Sequence, residues 1–515
     1  MASNQASSNQ APSNQAPSNQ AASDQNAFQD DSNQLAPGQP ASDQFSFDQV
    51  GASDQLASGQ GAFHQGIPEQ LASDQLASDR LASDQLASDQ LASDQLASDQ
   101  LASDQLASDQ LASGRGAFHQ GTSNLSASDQ LAFDQLAYGQ FASDQAPNQA
   151  AWLIAKSAHP LMVGAAPYTP PSANQIVIKN AAVAVNPVEW AKQLMGNMIL
   201  PWVKYPFVLG NDCAGQVVQV GDMVSHIKVG DRVLAHAVSM DPAVNKSSEG
   251  AFQRYTVIRS NMVTVIPDWL SYEEACVVPL GLSTAATALF DSDFLFLNRP
   301  GAPLGRSPLP QVVLVWGGST SVGCNAIQLA ASAGYEVITT CSPKNFEYVT
   351  NLGATAVFDY RSELTIAQIV YLLKNKKVVG AVAIGKDSTE ACIKILAKTN
   401  GSKFVAQAGL PYPETIPTTK FQLFRALTAS MWSNVKVSVK SKRYGVKTKL
   451  IQGTSAAHTE IGSMVYREYL PEALASGTFV AAPKPRVVGK GLEQIQSAMD
   501  CHMRGVSAQK VVVSL

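Results

Sequence analysis

Cysteine is scarce in this chain. Six residues in 515, at positions 213, 276, 324, 341, 392 and 501, show no paired spacing and no C-x-x-C. That excludes a disulfide scaffold and points to a reducing compartment. No apolar run approaches the roughly eighteen residues of a membrane span. The start, Met1-Ala2-Ser3-Asn4-Gln5, lacks the basic and apolar regions of a secretory signal. It lacks arginine too, which argues against a mitochondrial presequence, so the cytoplasm is the expected location.

Charged residues are also few, 15%, and unevenly placed. Residues 1–150 carry 18 acidic and 2 basic side chains, whereas 151–515 carry 23 and 34. An acidic segment therefore precedes a mildly basic body, which can attract anions. The cluster Lys436, Lys440, Lys442, Arg443, Lys447 and Lys449 lacks interleaved aromatics and any nucleic-acid reading motif. It reads as a solvated surface, with neither nucleic acid nor membrane as partner.

Residues 1–150 form a degenerate pentapeptide array, close to perfect as Leu-Ala-Ser-Asp-Gln from Leu71 to Asp109, and Gly-Ala-Phe-His-Gln-Gly recurs at Gly61 and Gly116. A five-residue period turns leucine by about 140° per repeat on a helix. On a strand it throws successive leucines onto opposite faces. Neither structure gains a core. A pentapeptide β-helix would bury the residue two before leucine, which here is Asp, at prohibitive cost. The segment is expected to be disordered.

The most informative stretch is Gln311 to Gly323. The apolar run Gln311–Trp316 suits a buried parallel strand; the turn Gly317, Gly318, Ser319, Thr320, Ser321, Val322, Gly323 follows, then a helical pattern through Cys324, Ile327, Gln328 and Ala331. A second strand, Glu336–Cys341, closes a βαβ unit. This order places backbone N–H groups and a helix N-terminus where a pyrophosphate can sit. Thr320 occupies the middle glycine slot. At the end of the second strand, where an NAD site carries Asp or Glu, stand Ser342, Pro343, Lys344 and Asn345. Two hydrogen-bonding groups and a cation favour a 2′-phosphate, hence NADP(H).

Residues 151–280 read as an all-β module, with strands at Gln175–Lys179, Gly215–Val220 and Arg232–Ala235 and turns at Gly221-Asp222 and Gly230-Asp231. A helical lead-in at Ser271–Ala275 and the segment Pro279–Leu289 open the path to the second domain.

Asn186-Pro187-Val188-Glu189-Trp190, then Tyr205 through Gly215, then Val229-Gly230-Asp231-Arg232-Val233, then the strand–turn–helix together resemble the medium-chain dehydrogenase/reductase superfamily. Thr339–Asn345, Val357-Phe358-Asp359-Tyr360 and Gly505–Val513 are similar to its zinc-independent fungal branch. That branch includes trans-acting enoyl reductases that partner polyketide synthases, alongside quinone oxidoreductases. The resemblance covers 151–515 and none of 1–150.

It implies an α/β protein. A GroES-like β-barrel domain (151–280) is followed by a Rossmann doubly wound parallel sheet (281–462), and a C-terminal segment (463–515) returns to the barrel. The active site is expected in the cleft between the domains. Asn186, Pro187, Val188, Glu189, residues 318–323, Ser342 to Asn345 and Tyr360 are implied as cofactor-binding.

Catalytic zinc needs three ligands such as Cys and His. Asn186 and Asn211 stand where the superfamily's first cysteine and its Gly-His-Glu histidine would be, and the structural-zinc lobe is reduced to Ser239–Gly250 without cysteine. Cys213 reads as core, and His226 and His236 as exposed. Metal-free hydride transfer to an α,β-unsaturated thioester, enone or quinone is the implied chemistry. Lys192, Tyr205, Ser283 and Thr284 are candidate polar groups near the cleft. Related enoyl reductases carry lysine where Ala191 stands, so Lys192, one later, reads as solvated. No proton donor emerges.

The substrate is expected to be a small molecule or a carrier-bound chain, and the protein a monomer or homodimer. Three readings stay open: an enoyl reductase, a quinone or enone reductase, and a non-catalytic nucleotide-binding scaffold.

Overall fold

A computed structural model describes residues 147–302, 310–409 and 420–515. The expectation for residues 1–146 lies outside the described residues.

Sixteen strands are described. Asn148–Leu153 (β1), Met162–Ala166 (β2) and Phe207–Val208 (β4) form an antiparallel sheet in the order β2-β1-β4. The larger barrel sheet uses Gln175–Ala184 (β3), Asp212–Val220 (β5), Arg232–His236 (β6), Tyr255–Arg259 (β7) and Val263–Val265 (β8), together with Lys484–Lys490 (β15) and Gln509–Ser514 (β16). Its order is β15-β16-β3-β5-β6-β8, with β7 also paired to β3. The two C-terminal strands thus lie in the barrel sheet, and β16 pairs antiparallel with β3.

The second sheet is parallel throughout: Gln311–Trp316 (β9), Glu336–Cys341 (β10), Ala356–Asp359 (β11), Lys377–Ile384 (β12), Phe404–Ala408 (β13) and Lys447–Leu450 (β14), in the order β11-β10-β9-β12-β13-β14. Counted from its first strand this is 3-2-1-4-5-6, the Rossmann order, with the topological switch between β9 and β12. The run Val312–Val315 is fully buried, as a strand covered on both faces must be.

Four helices matter for the site: Pro187–Met195 (α1), Pro279–Phe290 (α2), Ser321–Ser332 (α3) and Lys420–Tyr444 (α4). Pro stands at the first position of α1 and α2, where its missing N–H is not needed. The short helix Tyr272–Ala275 starts in a capping box between Ser271 and Glu274. The largest apolar cluster spans both domains: Leu234 and Met262 of the barrel, Leu282 and Leu289 of α2, and Val313 and Ile327 beside the parallel sheet.

The folded body begins before residue 151. β1 starts at Asn148, which is buried; its amide donates to Gln253 Oε1 (3.0 Å) and its carbonyl accepts from Tyr255 N (3.0 Å). The boundary expected at 150 therefore cuts through β1, because its first residues, Asn148, Gln149 and Ala150, carry no apolar alternation that marks a strand until they are paired. Asn148→Ala is expected to lower stability by roughly 2–3 kcal/mol, since it strands a buried backbone N–H and the Gln253 amide. Urea unfolding with an unchanged midpoint would contradict this.

Candidate active site

The turn after β9 is shaped by what surrounds it. Gly317 adopts φ +96°, open to glycine at no cost. A Cβ on Gly323 would fall 2.2 Å from the Gly317 carbonyl oxygen, so only glycine lets α3 start this close to the strand. Thr320, in the middle glycine slot, caps the helix. Its hydroxyl donates to Gly317 O (2.7 Å) and accepts from Gly323 N (3.0 Å). The remaining N–H groups of the first turn, with the helix dipole, suit an anion.

A cleft of about 2070 Å³ lies at this point, roughly twice the upper end for a drug-sized ligand. Dinucleotide and substrate can therefore share it. Trp316 and Ile384 mark the switch between β9 and β12 on its floor; Asn186, Pro187 and Val188 form the barrel-side wall. Ser319 through Val322, then Ser342, Pro343, Lys344 and Tyr360, line the side formed by the parallel sheet. Gly318, Gly323, Glu189 and Asn345 lie off the cleft surface. The two glycines sit beneath the turn, and the Asn345 amide donates to Ser507 Oγ (3.3 Å).

Glu189 is buried completely. Its carboxylate accepts from the backbone N–H of Asn186 (2.7 Å) and of Asn211 (3.1 Å). It holds two cleft loops together rather than facing a ligand. Burial, with the Asp212 charge second, pushes its pKa up to about 8. Beside it Lys510 makes a buried ion pair with Asp212 (2.8 Å) and donates to Asn186 Oδ1. Asn186 Nδ2 donates to Asp212 Oδ2 (2.9 Å), and Asp212 Oδ1 accepts from Leu280 N (2.6 Å).

Two expectations are corrected. Lys192 is buried, not solvated. Its ammonium donates to the carbonyls of Gly196 (3.1 Å), Ile199 (3.3 Å) and Leu200 (3.0 Å) and sits 5.1 Å from the Tyr205 ring centre. Residues 196–200 leave the helix with carbonyls that need donors, and Lys192 supplies them. His236 is buried, not exposed. Tyr466 donates to Pro279 O (2.7 Å), so Ser283 donates to Tyr466 (2.7 Å) and His236 Nδ1–H to Ser283 (2.8 Å). Burial pulls the pKa of His236 down to about 4. Cys213 is buried among apolar residues, and burial pushes its thiol far up.

Of the four candidate polar groups only Thr284 lines the cleft, and its hydroxyl donates to Leu280 O (2.7 Å). Four cleft cations, Arg361, Lys386, Arg425 and Lys510, escaped sequence reasoning. Lys510 lay inside the C-terminal motif, but nothing local says it folds back onto Asn186. Arg361 lines the cleft near Lys344 and pairs with Asp359 (3.2 Å); its position directly after Tyr360 at the end of β11 was the available signal.

Residues 172–268 match the alcohol dehydrogenase GroES-like domain family. The dehydrogenase pigH of Monascus ruber is 50% identical over 368 residues, covering 72% of this chain and 99% of that protein. This chain belongs to the medium-chain dehydrogenase/reductase superfamily. It is an oxidoreductase of that superfamily, whose relatives include the trans-enoyl reductase himH of Aspergillus japonicus, 36% identical over 373 residues, 72% of this chain and 97% of that protein. The CurK enoyl reductase structure shares the fold, with TM-score 0.53 at 20% identity over 72% of this chain and 99% of that one. The superfamily's nicotinamide cofactor fits the residues present: a glycine-tight turn, a capped helix start and two cations, Lys344 after β10 and Arg361 after β11.

Lys510→Met would leave the Asp212 carboxylate buried without its partner, at an expected cost of about 3–5 kcal/mol. Asp212→Asn in the same chain should recover part of it, as a double-mutant cycle in urea would read. Glu189 adds a pH dependence. Its folded pKa lies above its ordinary 4.5, so the folded state alone keeps the proton between about pH 4.5 and 8. Its contribution is complete below pH 4.5 and is lost as pH rises through about 8, on the order of a few kcal/mol. Glu189→Gln should flatten the stability profile across that window; an unchanged slope would refute the assignment.

Proposed function

We propose that the chain is an NADPH-dependent reductase that works without a metal and delivers hydride to an activated C=C bond, as an enoyl reductase does. The observation that carries this reading is the cation already built into the cleft wall. Lys510 donates to Asn186 Oδ1 and Asp212, and Asn186 Nδ2 is spent on Asp212. An amide closed in this way, beside an ammonium, is a poor zinc ligand. Among the described residues no group of three His, Cys, Asp or Glu could hold a metal ion. Zinc does not fit these residues, so alcohol oxidation through a metal alkoxide is disfavoured.

Bound NADPH would supply the hydride at its nicotinamide ring. The chain's own part is orientation. Pro187 and Val188 would offer an apolar wall for a planar ring, the start of α3 would hold the pyrophosphate, and Ser342, Lys344 and Arg361 would meet a 2′-phosphate. Lys192 and Ser283 have spent their protons on internal acceptors. The Tyr205 hydroxyl is buried without a hydrogen-bond partner among the described residues and lies off the cleft surface. None of these three is placed to give the proton that completes reduction. The trans-enoyl reductase relatives support an acyl chain borne by a polyketide synthase as substrate.

Oxidation of NADPH and NADH over a panel of enoyl thioesters, enones and quinones tests the reading. Enoyl thioesters should turn over with NADPH and without stoichiometric zinc by elemental analysis. Lys344→Ala with Arg361→Ala should raise KM for NADPH roughly ten- to hundredfold and leave NADH nearly untouched. Equal use of the two cofactors, or zinc bound one-to-one, would sink it.

A further inference from the structure

The helix α4 carries six Lys and Arg and no Asp or Glu in its 25 residues, and β14 extends the series with Lys447 and Lys449. Lys440 pairs with Glu390 and Lys449 with Asp293 (2.6 Å). Lys436, Lys442, Arg443 and Lys447 have no carboxylate partner among the described residues. The same helix exposes large apolar side chains: Trp432 (65%), Val435 (45%) and Val439 (59%). At roughly 100° per residue these three fall within about 60° of one another, and Lys436, Lys440, Lys442 and Arg443 lie within about 80° to either side of Trp432. An apolar stripe flanked by cations is a recognition face, not a merely solvated one.

Continuity with the cleft indicates what it recognises. Arg425, Lys436 and Val437 of α4 line the cleft itself, so a partner seated on the stripe stands at the cleft mouth. We propose that the Trp432–Val439 stripe with Lys442 and Arg443 docks an acidic carrier domain that presents its tethered acyl thioester to the cleft. The proposal rests on the enoyl-reductase reading and names its partner surface. Charge complementarity supplies steering and an apolar centre supplies residence, the usual division in such interfaces. Three apolar residues on a helix that also packs on Ser388–Ala397 give too little buried area for a lipid surface, which needs a continuous apolar face.

The test uses the full chain, with an acidic acyl carrier protein bearing a 2-butenoyl thioester and, in parallel, the same acyl group on free pantetheine. Lys442→Glu with Arg443→Glu is expected to raise KM for the carrier-bound substrate roughly tenfold or more and leave kcat and KM for the pantetheine thioester unchanged. Val439→Asp should do the same, and the wild-type carrier KM should rise with salt. Equal effects on both substrates, or none on either, overturn the proposal. If wild-type chain reduces neither thioester, the enoyl reading fails by itself, and docking is judged by anisotropy of the labelled carrier. Binding lost in the double variant supports it; binding unchanged or absent in wild type overturns it. Tighter binding to phosphatidylserine vesicles or duplex DNA than to the carrier overturns it too.

Discussion

The buried contact between Lys510 and Asp212 ties the site together. It joins β16, at the C-terminal end, to β5, and through Asn186 to the start of α1, 324 residues away in sequence. Two charges leave water for this pair, and a buried ion pair is tolerated only when its remaining donors and acceptors are filled. Here the carboxylate is filled: Lys510, Asn186 Nδ2 and the Leu280 N–H meet the two oxygens of Asp212, and Lys510 also donates to Asn186 Oδ1. Glu189 locks the neighbouring loops through two backbone N–H groups. The barrel-side wall of the cleft is consequently rigid before any ligand arrives, which lowers the ordering cost of binding.

Opposite that wall, the parallel sheet contributes geometry more than chemistry. The switch between β9 and β12 opens a crevice at the carboxyl ends of the strands, and the Thr320 cap fixes the start of α3 beside it. Charge follows the same division of labour. Lys344 and Arg361 line the cleft on the side of the parallel sheet and Lys510 lines it beside the barrel-side wall, so positive charge stands on both sides. The hydroxyls of Thr320 and Thr284 are spent on internal hydrogen bonds, whereas Ser321 Oγ is buried without a partner among the described residues.

Lys192 and His236 illustrate how polar residues near a cleft become scaffold. Each is fully buried, and each has its donors taken by neighbouring oxygens: three carbonyls for Lys192, and Ser283 for His236 Nδ1. A lysine holding three carbonyls stiffens residues 196–200 and cannot also act as an acid. The His236–Ser283–Tyr466 chain joins the barrel, α2 and the C-terminal segment in one hydrogen-bonded line, which fixes the junction between domains without entering the cleft.

The sequence by itself determined the nucleotide-binding half. Strands Gln311–Trp316 and Glu336–Cys341 were legible because buried parallel strands are unbroken apolar runs, and the turn because glycine spacing is a local steric requirement. The absence of a carboxylate after β10 and of cysteine and histidine at positions 186 and 211 was legible for the same local reason. Only tertiary structure decided the rest. Lys510 reaches Asn186 because β16 pairs with β3, a long-range pairing that no window of sequence contains. Lys192 and His236 are buried because neighbouring loops close over them, and β1 exists because β2, β4 and the buried Gln253 complete it. The basic stretch of α4 was visible as charge. That Arg425, Lys436 and Val437 line the cleft was decided by the fold, because proximity between distant segments is set by packing and not by composition.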